Sequence, residues 1–152
     1  ILESFQTNPD SSLVWRADIW HDVTLKLAFD HRVLFGTGLD TFSRYAEDLR
    51  GIRFGSTDSH NDFVKFYVEG GLVGLTVFLL FLFTLAHKVR SLKDLPQAYR
   101  PTIFLFSLFA GTLVLSSLTD NIYKDTPLLW IFFILLGSFL ALKERIAQGE
   151  NG

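Results

Sequence analysis

The sequence predicts an all-α fold, a multi-pass bundle of transmembrane helices preceded by an external helical segment. Three observations predict it. Of the 152 residues, 49% are hydrophobic, 16 residues are Phe, and the mean hydropathy is positive. The apolar residues lie in three blocks, and runs such as residues 103–115 are apolar all round rather than on one stripe. The charged residues lie ahead of and between these blocks, in a pattern of alternating sign.

The blocks cover residues 70–86, 102–118 and 127–142. Each approaches the ~20 residues that hydrocarbon requires. The first block continues amphipathically back to Asp62, so spans are expected at 63–86, 102–118 and 127–142. The link 87–101 carries Lys88, Arg90, Lys93 and Arg100 against Asp94, and the tail 143–152 opens with Lys143 and Arg145. Positive loops stay cytoplasmic. The short link 119–126 and the segment 1–62 then lie outside. Residues 1–69 hold 11 Asp plus Glu and 7 Lys plus Arg, a net of -4, which agrees with an external location.

Other features bound the function. A net charge of -2 gives no nucleic-acid footprint. With no cysteine there is neither a disulfide nor a thiolate site, and the four histidines lack metal-ligand spacing. Methionine is absent and the chain opens Ile1-Leu2-Glu3, which reads as the C-terminal part of a longer protein.

In the polar half, Asn8-Pro9-Asp10 is turn chemistry. Leu13 to about Asp30 is helical, with Leu13, Trp20, Val23 and Leu27 at helical spacing. Arg16 and Trp20 are four apart and share a face. Phe35-Gly36-Thr37-Gly38 breaks the pattern, and residues 39–49 form a second short helix. A polar loop with Arg50 and Arg53 follows. Ser59 reads as an N-cap with Asp62 as its N3 partner, which puts His60 and Asn61 in the first turn of a helix. Backbone N–H groups there attract phosphate, and imidazole is the side chain best suited to take up a proton near neutral pH. Gly70 and Gly74 form a small-residue pair for close helix packing.

Four elements in order, Arg16-x-x-x-Trp20, Phe35-Gly-Thr-Gly38, His60-Asn61-x-Phe63 and Glu69-Gly-Gly-Leu-Val-Gly74, resemble the O-antigen ligase and polymerase superfamily. The resemblance covers about residues 12–142. It implies a bacterial inner-membrane, multi-pass protein whose periplasmic loop carries the active site. It implies transfer of a glycan from an undecaprenyl-diphosphate donor to a hydroxyl of lipid A core, a glycan or a protein, with inversion and without metal, nucleotide or other cofactor. By motif match, His60 and Arg16 are the catalytic residues, and a further arginine is expected upstream.

The residue chemistry points the same way. A guanidinium and a helix N-terminus both stabilise a departing diphosphate. His60 suits a general base toward the acceptor hydroxyl. Trp20, Asn61 and Glu69 are candidate substrate contacts. Each has a plainer alternative: Trp20 as packing, Asn61 as a helix cap, Glu69 as an i,i+4 partner of Lys65. Arg44, Arg50 and Arg53 add cations for an anionic head group or a solvated face. The competing class is a non-enzymatic transporter or polysaccharide-assembly subunit. It predicts ionisable residues inside the spans, and the second and third blocks have none.

Overall fold

The computed structural model describes residues 12–50, 58–124 and 126–149. Among these, the secondary structure is entirely helical. The α-helices are α1 (Ser12–Phe29), α2 (Phe42–Arg50), α3 (Asp62–Ser91), α4 (Arg100–Ser116) and α5 (Thr126–Ala147), with short 3-10 turns between them. The turn expected at residues 8–10 and the loop holding Arg53 lie outside the described residues. Three helical stretches are long and apolar enough to cross a membrane: Asp62–Asp94, Gln97–Ser116 and Pro127–Ala147. The chain divides into two compact units, Ile1–Phe78 and Leu79–Gly152.

In the first unit, α1, α2 and the start of α3 share one core. Ile19, Val23 and Leu27 from α1 meet Phe42, Tyr45 and Ala46 from α2 and Val68 from α3. The i, i+4, i+8 spacing on α1 places its three on one stripe. α1 ends in a Schellman arrangement. His31 takes a left-handed φ of 55°, the Arg32 N–H donates to the Leu27 carbonyl (3.0 Å), and the His31 N–H donates to that of Ala28 (3.2 Å). Asp30, just past the helix, receives hydrogen bonds from Lys26 Nζ (2.8 Å) and the Tyr45 hydroxyl (2.9 Å). Those bonds, Lys26 first, hold the Asp30 carboxyl below the usual carboxylate range. Burial, then Asp30, pushes the Tyr45 phenol well above its ordinary value. Lys26 Nζ also lies 4.7 Å from the Tyr45 ring centre, so this triad fastens α1 to α2.

α3 departs from the continuous helix expected over residues 62–86. Gly71 has φ 63° and ψ -157°, which divides α3 into a polar limb, 62–70, and an apolar limb, 72–91. In a straight helix Phe66 and Phe78 would be separated by about 18 Å. Here their rings stack at 4.2 Å, and Phe63 meets Phe78 edge-on at 5.2 Å. The two limbs therefore fold toward each other at Gly71.

The segment after α1 fills the break. In an intact helix the N–H groups of Leu72 and Val73 would donate to the carbonyls of Val68 and Glu69. Instead they donate to Val33 (2.8 Å) and Leu34 (3.2 Å), while Val68 and Glu69 accept from the N–H groups of Thr37 and Gly38 (both 2.9 Å). The Thr37 hydroxyl adds a bond to the Val68 carbonyl (3.1 Å). All four displaced backbone groups thus regain partners, as a buried break requires. A Cβ on Gly36 would fall 2.4 Å from the Glu69 carbonyl, and one on Gly71 would fall 2.4 Å from that of Leu34. Gly36 and Gly71 are the glycines this geometry demands. Of the pair expected to pack closely, a Cβ on Gly74 would fall 3.0 Å from the Phe66 carbonyl oxygen, whereas one on Gly70 would meet nothing within 4 Å.

In the second unit, Leu92 and Leu95 from the link after α3 are buried against Ile103, Phe106 and Leu113 of α4 and Phe132 and Leu136 of α5. Phe106 and Phe132 stack at 5.2 Å. Lys143 Nζ donates to the Ser91 carbonyl (2.7 Å) and to Asp94 (2.9 Å), which ties the end of α5 to this link. Phe104, Leu105 and Leu108 on α4 and Trp130, Ile131 and Ile134 on α5 are exposed. Such faces suit lipid or neighbouring spans.

Candidate functional site

The site is built where α1 meets the residues that enter α3. The indole N–H of Trp20 donates to the Ser59 carbonyl at 2.7 Å. The Trp15 ring meets the His60 imidazole edge-on, with centroids 6.3 Å apart and planes at 68°. These two tryptophans fix residues 59–60 along one turn and a half of α1. At about 100° per residue, Arg16 lies between Trp15 and Trp20 on the helical wheel. It also falls on the buried stripe of Ile19, Val23 and Leu27, one turn nearer the N-terminus. Its side chain is half-buried and takes part in the local interactions.

The helix start differs from the expected capping box. Asn61, not Ser59, is the N-cap. Its carbonyl accepts from the Lys65 N–H (3.0 Å), and its side-chain Oδ1 accepts from the Val64 N–H (3.0 Å). That is the N-cap to N3 bond of a helix beginning at Asp62. His60 therefore precedes the cap and is not in the first turn. It takes a left-handed φ of 45°, a region costly for a residue with a Cβ. The reason is local: Ser59 is held by Trp20 on one side, Asn61 is committed to the helix on the other, and His60 supplies the bend between them. Ser59, Asn61 and Asp62 are buried, and His60 is half-buried. No buried side-chain nitrogen or oxygen among the described residues lacks a hydrogen-bond partner.

Glu69 belongs to a different cluster. It sits eight residues along the polar limb from Asn61, about 12 Å of helix rise. The residue is 4% exposed. It accepts from Lys65 Nζ (2.9 Å) and from the Phe42 N–H (3.1 Å). Phe42 is the first residue of α2, so Glu69 satisfies one of that helix's orphan N–H groups and faces its positive end. This also explains why α2 starts at Phe42 rather than Leu39. Thr41 caps it through a carbonyl bond from the Tyr45 N–H (2.9 Å), and the helix locks in only where Glu69 can reach it.

Arg16, Trp20, His60 and Asn61 are thus brought to one region, with Glu69 at the break. Arg44 is exposed on α2. Trp15 and Gly71 were not singled out by the sequence. The Gly70-Gly71 doublet inside a helical pattern is the breaker signal that marks the second; Trp15 has no such signature. Among the described residues, no group of three His, Asp or Glu side chains is arranged to hold a metal ion.

This is the region that a family model recognises. The model described as O-antigen ligase matches residues 2–79, just over half of the chain. No curated protein and no solved structure matches the chain.

Proposed function

Because the chain belongs to the O-antigen ligase family, we propose that it works as a membrane glycosyltransferase moving a glycan from undecaprenyl diphosphate to an acceptor hydroxyl. The protein is a multi-pass membrane protein. The observation that carries the reading is the held imidazole: His60 half-buried in a left-handed conformation, its ring against Trp15, with its neighbour Ser59 hydrogen-bonded to the turn of α1 that bears Arg16. Strained residues outside glycine cluster at working sites.

The chemistry follows from the two groups. The acceptor oxygen attacks the anomeric carbon from the face opposite the diphosphate, which inverts that centre. The bond from the anomeric carbon to the phosphate oxygen breaks, and its electron pair leaves with the diphosphate. The hydroxyl proton passes to His60 acting as general base. The Arg16 guanidinium meets the growing charge on the diphosphate through a bidentate pair. Trp20 positions His60 through Ser59, and Asn61 positions it by capping the helix. Glu69 holds α2 and the polar limb in register. A diphosphate is already a good leaving group, so this chemistry does not strictly require a metal.

The lysines and arginines of residues 87–101 and 143–152 support a cytoplasmic side for those segments and a periplasmic side for the site, in the inner membrane. Lipid A core is one acceptor that this chemistry serves. A growing glycan or a protein hydroxyl would use the same chemistry, and the acceptor that sustains turnover separates the three. The direct test is His60→Ala and Arg16→Ala in the full-length protein, assayed for glycan transfer. Both should insert normally and lose transfer. Normal transfer by either variant at normal expression overturns the reading.

A further inference from the structure

We propose that the segment linking α1 to α2 dips into the bilayer interface beside the apolar limb of α3, with Leu34, Phe35 and Leu39 seated among the lipids. Three observations carry this. First, large apolar side chains crowd this stretch and face outward: Phe29 is 79% exposed, Leu34 57%, Phe35 75% and Leu39 82%. An apolar concentration of this kind on an otherwise polar segment marks an interaction surface. Second, the segment's height is fixed by backbone bonds. Val33 and Leu34 accept from the N–H groups of Leu72 and Val73, the first residues of the apolar limb. Third, the stretch of that limb free of ionisable residues runs over residues 72–86 and rises about 22 Å. This is less than the roughly 30 Å of a hydrocarbon core, so its first turn lies no further out than the boundary between hydrocarbon and head groups.

A segment bonded to that first turn therefore lies at the same depth. Irregular backbone at this depth must have its polar groups paired, and the crossed bonds among residues 33–38 and 68–73 supply those pairs. Lipid is the occupant this geometry selects, because the patch is continuous with Leu72 and Val73, themselves exposed on the limb that enters the membrane. The proposal rests on α3 crossing the bilayer and not on the transfer chemistry. Its consequence for that chemistry is that the C-terminal end of α1 is fastened at the membrane surface, the side from which a lipid-linked substrate presents its phosphates.

These 152 residues hold no cysteine, and single-site labelling is done with any cysteine elsewhere in the full-length protein replaced by serine. Full-length protein carrying Phe35→Cys, Leu39→Cys or the control Glu47→Cys, each with an environment-sensitive fluorophore, is reconstituted in phosphatidylglycerol–phosphatidylethanolamine vesicles. Quenching is read with shallow nitroxide lipids and with aqueous iodide. Labels at 35 and 39 should emit further to the blue than the label at 47. They should be quenched several-fold more by the lipid nitroxide and several-fold less by iodide. Iodide quenching at 35 and 39 equal to that at 47 overturns the proposal by placing the patch in water. Protection from both quenchers also overturns it, by showing the patch covered by protein. The readout needs no substrate, so it stands or falls apart from the transfer activity.

Discussion

Gly36 and Gly71 are reciprocal: a Cβ on the first would strike the backbone at Glu69, and a Cβ on the second would strike it at Leu34, each at 2.4 Å. Both have left-handed φ values, 72° and 63°. Either glycine replaced by alanine must push apart the segments whose four crossed bonds repair α3. Gly36→Ala and Gly71→Ala are each expected to destabilise the full-length protein by about 3 kcal/mol or more. Gly70→Ala, which meets nothing within 4 Å, should leave stability unchanged or slightly raised. Thermal unfolding in detergent checks all three.

Asn61 distinguishes a cap from a sugar contact. Asn61→Ala should lose about 1 kcal/mol of stability through the missing bond to the Val64 N–H. Asn61→Asp and Asn61→Ser should recover it, since both cap well. Recovery of stability together with transfer activity supports capping as its whole role. Restored stability with activity still lost assigns it a substrate contact.

Glu69 is nearly buried and holds two donors. Glu69→Ala leaves Lys65, whose side chain is 16% exposed, with only the longer ion pair to Asp40 (3.9 Å), and removes the acceptor of the Phe42 N–H. The expected loss is about 3 kcal/mol. Glu69→Gln retains an acceptor for Phe42 and should be milder. In the glutamine variant, donor affinity should stay at the parent value, as a positioning role requires. A large rise in KM for the donor would assign Glu69 to the substrate instead.

Asp30 predicts an acid limb in the stability profile. Its folded-state carboxyl is held below its ordinary value by Lys26 and Tyr45. A depressed carboxylate contributes stability that is present above its unfolded value, about 3.9, and lost as pH falls through the lower folded value. Stability of the parent should therefore drop below about pH 4. Asp30→Asn should flatten that part of the profile, and Tyr45→Phe should flatten it in part. An unchanged slope in Asp30→Asn would mean other carboxylates dominate.

Much of this architecture was legible in the chain. Three apolar blocks announced three spanning helices because lipid demands continuous apolar length. The stripe Val23, Leu27 announced α1, and the spacing of Lys65 and Glu69 announced their ion pair. Helical periodicity, however, runs through residues 62–86, and the Gly70-Gly71 doublet is a breaker signal that does not say how sharply the chain turns, so the fold-back at Gly71 was not legible. What makes it is non-local: bonds between residues 31 to 39 apart leave no periodic trace. For the same reason the cap was assigned to Ser59. Serine and asparagine are equal caps by propensity, and only the bond from Trp20, 39 residues away, removes Ser59 from that position. Motif order is what set Arg16 and His60 together as candidates, while the contact of Trp15 with His60 joins residues 45 apart and leaves no sequence pattern.

The central claim is a division of labour between His60 and Arg16. It is tested most directly by measuring donor affinity and single-turnover transfer rate in proteoliposomes supplied with a glycosyl lipid diphosphate and an acceptor. His60→Ala should bind donor like the parent and transfer at least roughly a hundredfold more slowly. Arg16→Ala should lose both affinity and rate, and Arg16→Lys should recover little of either, because the bidentate fork is gone. A parental rate in folded, membrane-inserted His60→Ala or Arg16→Ala would contradict the account.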